Sequence, residues 1–355
     1  MSSPKILLTG ATGYIGGSIL AQLTSSTSIP FPITCLVRGD DRVTKLKQTY
    51  GDKVNPVLFK DLDDTDRIIE IASSHDLAIN TTLGYHPESA ASVVHGLAKR
   101  KQTTGRDVWV IHTSGTSNLA DTPLTHEYPE SNAKRVFDDS VDDVYSYEKA
   151  RNASSPYAQR TAELGVVDAG LQTGVRTLVI MSPTIYGLGT GLFNRTSIQV
   201  PGYIAGALAE GQAVVIGDGA GVWDHVHVED LAVLYELCVR NVVEKGGSDL
   251  PYGKKGIIFS ENGVHSWKEL AQHVADVAFD EGKVESKEVK SVGLQEGAKV
   301  LAGGSEEIAE LGLSSNSRTK GVIARKLGWK PTRGEEAWRE SFKPEVQEYL
   351  RTKAK

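Results

Sequence analysis

The sequence predicts an α/β fold, a doubly wound parallel sheet carrying a smaller C-terminal lobe. Three observations predict it. Short apolar runs alternate with amphipathic stretches through the first half, a glycine-rich loop follows the first run, and the texture changes after Pro183. Strands separated by helices of this length form βαβ units, which require parallel pairing.

The elements follow in order. Residues 5–8 read as a strand, 14–24 as a helix, 33–37 and 57–59 as strands, 65–72 as a helix and 77–80 as a strand. Residues 87–101 read as a helix with Pro87 in its first turn, where a missing N–H costs nothing. Residues 108–112 form the fifth strand, 156–169 a helix and 175–181 the sixth strand. Beyond Pro183, Gly187, Gly189 and Gly191 mark a loop; 197–210 reads as a helix, 213–216 as a short strand and 228–239 as a helix. The tail from about residue 262 is helical and charged.

Composition narrows the function. A chain of 355 residues suits two domains at about 150 residues each, or one large α/β unit. The net charge of −6 offers no basic surplus for nucleic acid. No apolar run approaches the ~18 residues of a membrane span, and no secretory signal is expected at the start. Cys35 and Cys238 lie far apart, against a disulfide scaffold and in keeping with a reducing, cytoplasmic setting. His225 and His227 would share a strand face, but no third ligand accompanies them, so no metal is expected.

The sharpest motif is Thr9-Gly10-Ala11-Thr12-Gly13-Tyr14-Ile15-Gly16-Gly17, between the first strand and the first helix. Gly10 allows a tight turn, Gly13 lets backbone amides approach a pyrophosphate, and Gly16 allows helix to pack closely on strand. The helix N-terminus adds partial positive charge toward the anion. A Rossmann-type dinucleotide site is therefore expected, with Thr12, Tyr14 and Ile15 at the loop; a purely structural glycine turn is the alternative. Arg38 ends the second strand, where a cation suits a 2′-phosphate and a carboxylate would suit a free ribose, so NADP(H) is preferred to NAD(H). Asp40 and Asp41 follow it closely. Asp61 can accept from an adenine amino group while Leu62 packs on the ring, or Asp61 can simply open a helix. Thr81, at the end of the fourth strand, would line the cofactor.

These residues resemble the short-chain dehydrogenase/reductase superfamily in its extended or atypical branch, with similarity to NAD-dependent epimerase/dehydratase-like and NmrA-like proteins. The glycine loop, Arg38, the Asp61-Leu62 pair, the Ser182-to-Gly187 stretch, the Trp223-to-Ala232 segment and the Leu327-to-Pro331 ending carry the likeness. It implies residues 1–186 and a return segment 217–260 as the NADP-binding domain, with 187–216 and 261–355 as the substrate lobe. It also implies that Pro183, Thr184 and Ile185 lie over the nicotinamide.

The resemblance further implies a Ser or Thr after strand five, then a Tyr, with a Lys four residues on that lowers the Tyr pKa. Ser114 fits the hydroxyl role, with Thr113 or Thr116 as substitutes. Tyr145 and Lys149 have the spacing, but Tyr157 has the position: it opens the helix leading to strand six, and Thr161 occupies its fourth place. Arg160 shares the Tyr157 face and would replace the lysine. Asn194, Arg195, Trp223 and His225 fall where substrate contacts would come from, though each also suits a structural role. The expected function is an NADP(H)-dependent oxidoreductase reducing a carbonyl or oxidising a secondary alcohol of a small molecule. The alternatives are an epimerase or dehydratase that retains its cofactor, and an NmrA-like dinucleotide sensor without turnover. A monomer or homodimer with no membrane partner is expected.

Overall fold

The computed structural model describes residues 3–128, 132 and 134–353. The chain begins β1 (Ile6–Thr9), α1 (Tyr14–Ser25), β2 (Ile33–Val37), α2 (Asp40–Tyr50), β3 (Val54–Leu58), α3 (Thr65–Ala72), β4 (Leu77–Asn80), α4 (Pro87–Thr104) and β5 (Trp109–Gly115). It continues through β6 (Phe137–Asp138), α5 (Val144–Ser154), α6 (Ala158–Thr173), β7 (Arg176–Ser182), β8 (Thr184–Tyr186), α7 (Gln199–Glu210), β9 (Val214–Ile216), β10 (Val222–His227) and α8 (Val228–Lys245). The last elements are β11 (Ile257–Phe259), β12 (Val264–Ser266), α9 (Trp267–Asp280), β13 (Lys290–Val292), α10 (Leu294–Leu301), α11 (Glu306–Leu313), β14 (Thr319–Lys320), α12 (Val322–Lys326) and α13 (Glu335–Lys353).

Seven strands form one parallel sheet in the order β11-β7-β5-β4-β1-β2-β3. The chain runs outward from β1 to β3, then restarts on the other side at β4. That reversal places a crevice at the carboxyl ends of β1 and β4, where Thr9 pairs with Asn80. Strand alternation loads both faces. Ile6 and Leu8 of β1 face a cluster that includes Ile19, Leu231 and Tyr235. Leu7 faces the other side, with Ile68, Val94, Leu97 and Val166.

A further apolar cluster lies toward the C-terminus. It gathers Tyr203, Trp223, Trp267, Leu270, Trp338 and Phe342 together with Tyr157 and Tyr186. A three-stranded sheet, β12-β10-β8, and a pair, β13-β9, contribute to this part.

Two helices depart from the sequence expectation. α5, for which the sequence reading has no element, begins inside an acidic run, where Asp143 caps it by accepting from Ser146 N–H at 3.0 Å. Ser155 therefore ends α5, and Tyr157 is the N-cap residue of α6. α2 was hidden because Leu46 is its one buried residue, which leaves no apolar period to read. Among the described residues no helix is long and apolar enough to cross a membrane, and no His/Cys/Asp/Glu group could hold a metal. Both cysteines are free and buried.

Candidate functional site

The glycine loop takes its shape from close backbone approach. Gly10 has φ +74°, and a Cβ there would lie 2.5 Å from Thr81 O. A Cβ on Gly16 would collide with Gly10 O and Thr81 Oγ1. Thr81 Oγ1 is held there by donating to Thr9 O at 2.7 Å. Gly13 is different. Its φ of −83° and ψ of 177° are open to any residue, but a Cβ there would stand 3.2 Å from Gly10 O, a tight contact. It caps α1 without a side-chain hydrogen bond, and no acidic residue sits in the first turn. The amides at this helix start fit a diphosphate in charge.

Around the loop, Arg38 is exposed and makes no hydrogen bond or ion pair among the described residues. Arg42 on α2 reaches Thr12 Oγ1 at 3.5 Å, so a second cation borders the loop. The sequence reading missed Arg42 because it missed α2. Asp61 Oδ1 accepts from Asp63 N–H at 3.0 Å and so orders its own turn. Leu62 lines a small cavity with Thr9, Leu36, Asn80 and Thr82 at the strand ends.

A hydroxyl cluster lies at the start of α6. Tyr157 is 3% exposed. Its hydroxyl donates to Ser117 Oγ at 3.3 Å and lies 3.1 Å from Tyr85 OH. The two tyrosine rings meet edge to face, with centroids 5.8 Å apart. Ser117 Oγ in turn donates to Gln159 Oε1 at 2.5 Å. Burial, reinforced by Tyr85, pushes the Tyr157 phenol well above its ordinary range. The phenol is protonated at neutral pH.

The structure does not bring Ser114 to Tyr157. Ser114 Oγ accepts from Asn118 Nδ2 at 3.3 Å, and that amide also donates to Glu163 Oε2 at 2.8 Å. Thr113 Oγ1 lies 2.5 Å from Tyr235 OH on the opposite sheet face, and the Thr116 hydroxyl is buried without a partner. Counting through the turn after β5 was the signal available: Ser117, three residues beyond Ser114, is the hydroxyl that reaches the tyrosine.

Arg160 turns inward. Nε donates to Asn118 O and a terminal nitrogen to Ser155 O, both at 3.0 Å. Burial, with Arg151 adding repulsion, pushes its pKa down to about 10. It faces two buried carboxyls, Glu148 and Glu163. Glu148 is raised well above the usual carboxylate range, by burial first and by Glu163 second. This guanidinium is bound to carbonyls inside the protein, so it is not a free cation. Tyr145 and Lys149 both engage Asp168 on α6, at 2.5 and 2.7 Å, outside the hydroxyl cluster.

Residues 187–195 lie across the start of α1. Tyr14 OH donates to Gly187 O at 2.6 Å, Thr190 N–H donates to Ser18 Oγ at 3.3 Å, and Asn194 N–H donates to Thr12 O at 3.4 Å. Arg195 Nε donates to Gly189 O at 2.7 Å, and Asn194 Oδ1 accepts from Thr196, so both side chains order this loop. Pro183 is buried. Thr184 and Ile185 pair with His225 and Val226. Trp223 and His225 are both buried: Trp223 Nε1 donates to Ser315 Oγ, and His225 stacks on Trp338 with centroids 4.2 Å apart.

The model of the NAD dependent epimerase/dehydratase family matches residues 6–250. The chain belongs to this family. A curated relative, the oxidase ucsJ of Acremonium sp, is 29% identical over 341 residues, covering 92% of each chain. An uncharacterized Saccharomyces cerevisiae protein, YLL056C, is 25% identical over 268 residues, covering 72% of this chain and 77% of its own. Solved folds agree. A dTDP-glucose 4,6-dehydratase of Streptomyces venezuelae, crystallised with NAD and TYD, superposes with TM-score 0.66 at 16% identity, covering 99% of this chain and 98% of its own. A UDP-glucose 4-epimerase of Thermotoga maritima, crystallised with UDP-glucose, gives TM-score 0.58 at 15% identity, covering 99% and 100%.

Proposed function

We propose that this epimerase/dehydratase-family chain is an NADP(H)-dependent oxidoreductase that reduces a carbonyl on a small organic molecule. The observation that carries it is the buried, protonated Tyr157 hydroxyl at the start of α6, hydrogen-bonded to Ser117 and Tyr85. The nicotinamide coenzyme, when bound, supplies the hydride. Tyr157 donates its proton to the substrate oxygen, which becomes more basic than a phenolate as charge develops on it. Ser117, fixed by Gln159, accepts from Tyr157 and so holds the phenol in place. The raised Tyr157 pKa favours reduction, since alcohol oxidation requires the phenolate. Arg38 and Arg42 supply two cations for a 2′-phosphate, in support of NADP(H). The likeness to an oxidase over 92% of the chain supports a redox reaction.

A second reading is an epimerase or dehydratase that keeps its coenzyme. Loop 187–195, fastened across α1 through Tyr14 and Thr12, favours it, because such a strap slows release. One experiment separates the readings: purified protein is assayed for NADPH oxidation with a panel of ketones and aldehydes, and its nucleotide content is measured after denaturation. Turnover lost in Tyr157→Phe supports the reductase. Retained nucleotide without net oxidation supports the second reading. Binding without turnover, unmoved by Tyr157→Phe, overturns both and points to a sensor.

A further inference from the structure

We propose that Tyr85 is the proton relay of this site, carrying protons from solvent to Tyr157; the inference rests on Tyr157 being the acid of the proposed reduction. Tyr157 is 3% exposed, and with substrate against its hydroxyl the proton is replaced through a neighbouring hydroxyl. Two hydroxyls touch its own. Ser117 already donates to Gln159 at 2.5 Å, so it accepts from Tyr157 and has no second proton to give. Tyr85, at 3.1 Å, is half-buried and makes no other hydrogen bond among the described residues. It therefore connects the buried phenol to water.

Nothing on α6 competes for this task. Thr161, in the lysine's place, bonds Asn152 at 3.2 Å. Arg160 is held by Asn118 O and Ser155 O. The loop after β4 supplies the group instead, and the edge-to-face rings keep the two hydroxyls together. The proton count closes. The Tyr157 O–H breaks as its proton passes to the substrate alkoxide. The Tyr85 proton moves to the Tyr157 phenolate, and water restores Tyr85, leaving hydroxide to the solvent. No redox partner beyond the coenzyme of the proposed reaction is needed.

The test needs no substrate. The full chain is labelled with ¹³C at tyrosine Cζ, the Tyr157 line is assigned with Tyr157→Phe, and spectra are taken in equal parts H₂O and D₂O. A fast-exchanging hydroxyl shows one averaged line; a slow one shows separate protonated and deuterated lines. One line is expected for wild type and for Ser117→Ala, and two lines for Tyr85→Phe; Tyr85→Leu serves if the first variant does not fold. Two lines in wild type, one line in the Tyr85 variant, or splitting caused by Ser117→Ala overturns the relay. For any carbonyl the wild type reduces, Tyr85→Phe should lower kcat at least tenfold with KM within twofold; a KM effect alone would also overturn it. Failure to find a reducible carbonyl counts against the reductase reading and leaves the exchange result to decide the relay.

Discussion

Glu345 accepts a 2.7 Å hydrogen bond from the backbone N–H of Gly187. The same glycine accepts from Tyr14 OH through its carbonyl. One residue thus joins the C-terminal helix α13 to the first turn of α1, beside the glycine loop. The Glu345 carboxyl is fully buried, and among the described residues its second oxygen accepts no hydrogen bond within 3.5 Å.

A pH dependence follows from that burial. Burial pushes Glu345 up to about 7, above an unfolded glutamic acid at about 4.3. The folded state therefore binds the proton more tightly. The stability it contributes is complete in acid and is lost as pH rises through about 7. Glu345→Gln should remove this loss: at pH 8.5 the variant should be more stable by roughly 1–3 kcal/mol, with the difference gone near pH 5. Denaturant melts at both pH values measure it. Glu261, also pushed up to about 7 by burial, should leave the variant a smaller slope of the same sign.

The glycines of the loop should separate into two kinds. Gly16→Ala should destabilise the protein by several kcal/mol, because its Cβ meets Gly10 O and Thr81 Oγ1. Gly13→Ala should cost less, since its φ is negative and its Cβ would meet Gly10 O at 3.2 Å, a tight contact but not a collision. It should still weaken NADP binding at least tenfold by calorimetry. Equal loss of stability in both would make the loop purely structural.

Coenzyme choice should rest on Arg38 and Arg42. Each charge-assisted bond to a 2′-phosphate is worth about 1.5–3 kcal/mol. Arg38→Ala and Arg42→Ala should each raise the NADPH Kd about 10- to 100-fold and leave the NADH Kd within threefold. A variant that weakens both coenzymes alike would remove the 2′-phosphate assignment.

The two tyrosines should part in activity. Tyr145→Phe and Lys149→Met break contacts to Asp168 on a partly exposed helix pair, where an ion pair contributes about 1 kcal/mol or less. Turnover of a reducible carbonyl should stay within threefold of wild type in both. Tyr157→Phe should lower it at least a hundredfold.

Much of the fold was legible because its signals are local. The spans 65–72 and 77–80 are found as read, since their apolar period and their turn residues are carried by neighbouring positions. α2 and α5 were not legible: one buries little and the other begins inside an acidic run. The same limit applied at the site. Tyr145 and Lys149 match a spacing yet close on Asp168, and Trp223 and His225 match a segment yet pack inside an aromatic cluster.

From its sequence alone this protein was determined to be a parallel α/β chain with a glycine turn suited to a dinucleotide, because periodicity, turn residues and helix caps act over a few positions. Only the tertiary structure decided which hydroxyls meet. Tyr85 and Tyr157 are 72 positions apart, and Ser117 and Tyr157 are 40. What joins them is the parallel order of β4, β5 and β7, which brings three loops to one sheet edge, and no local pattern encodes that approach.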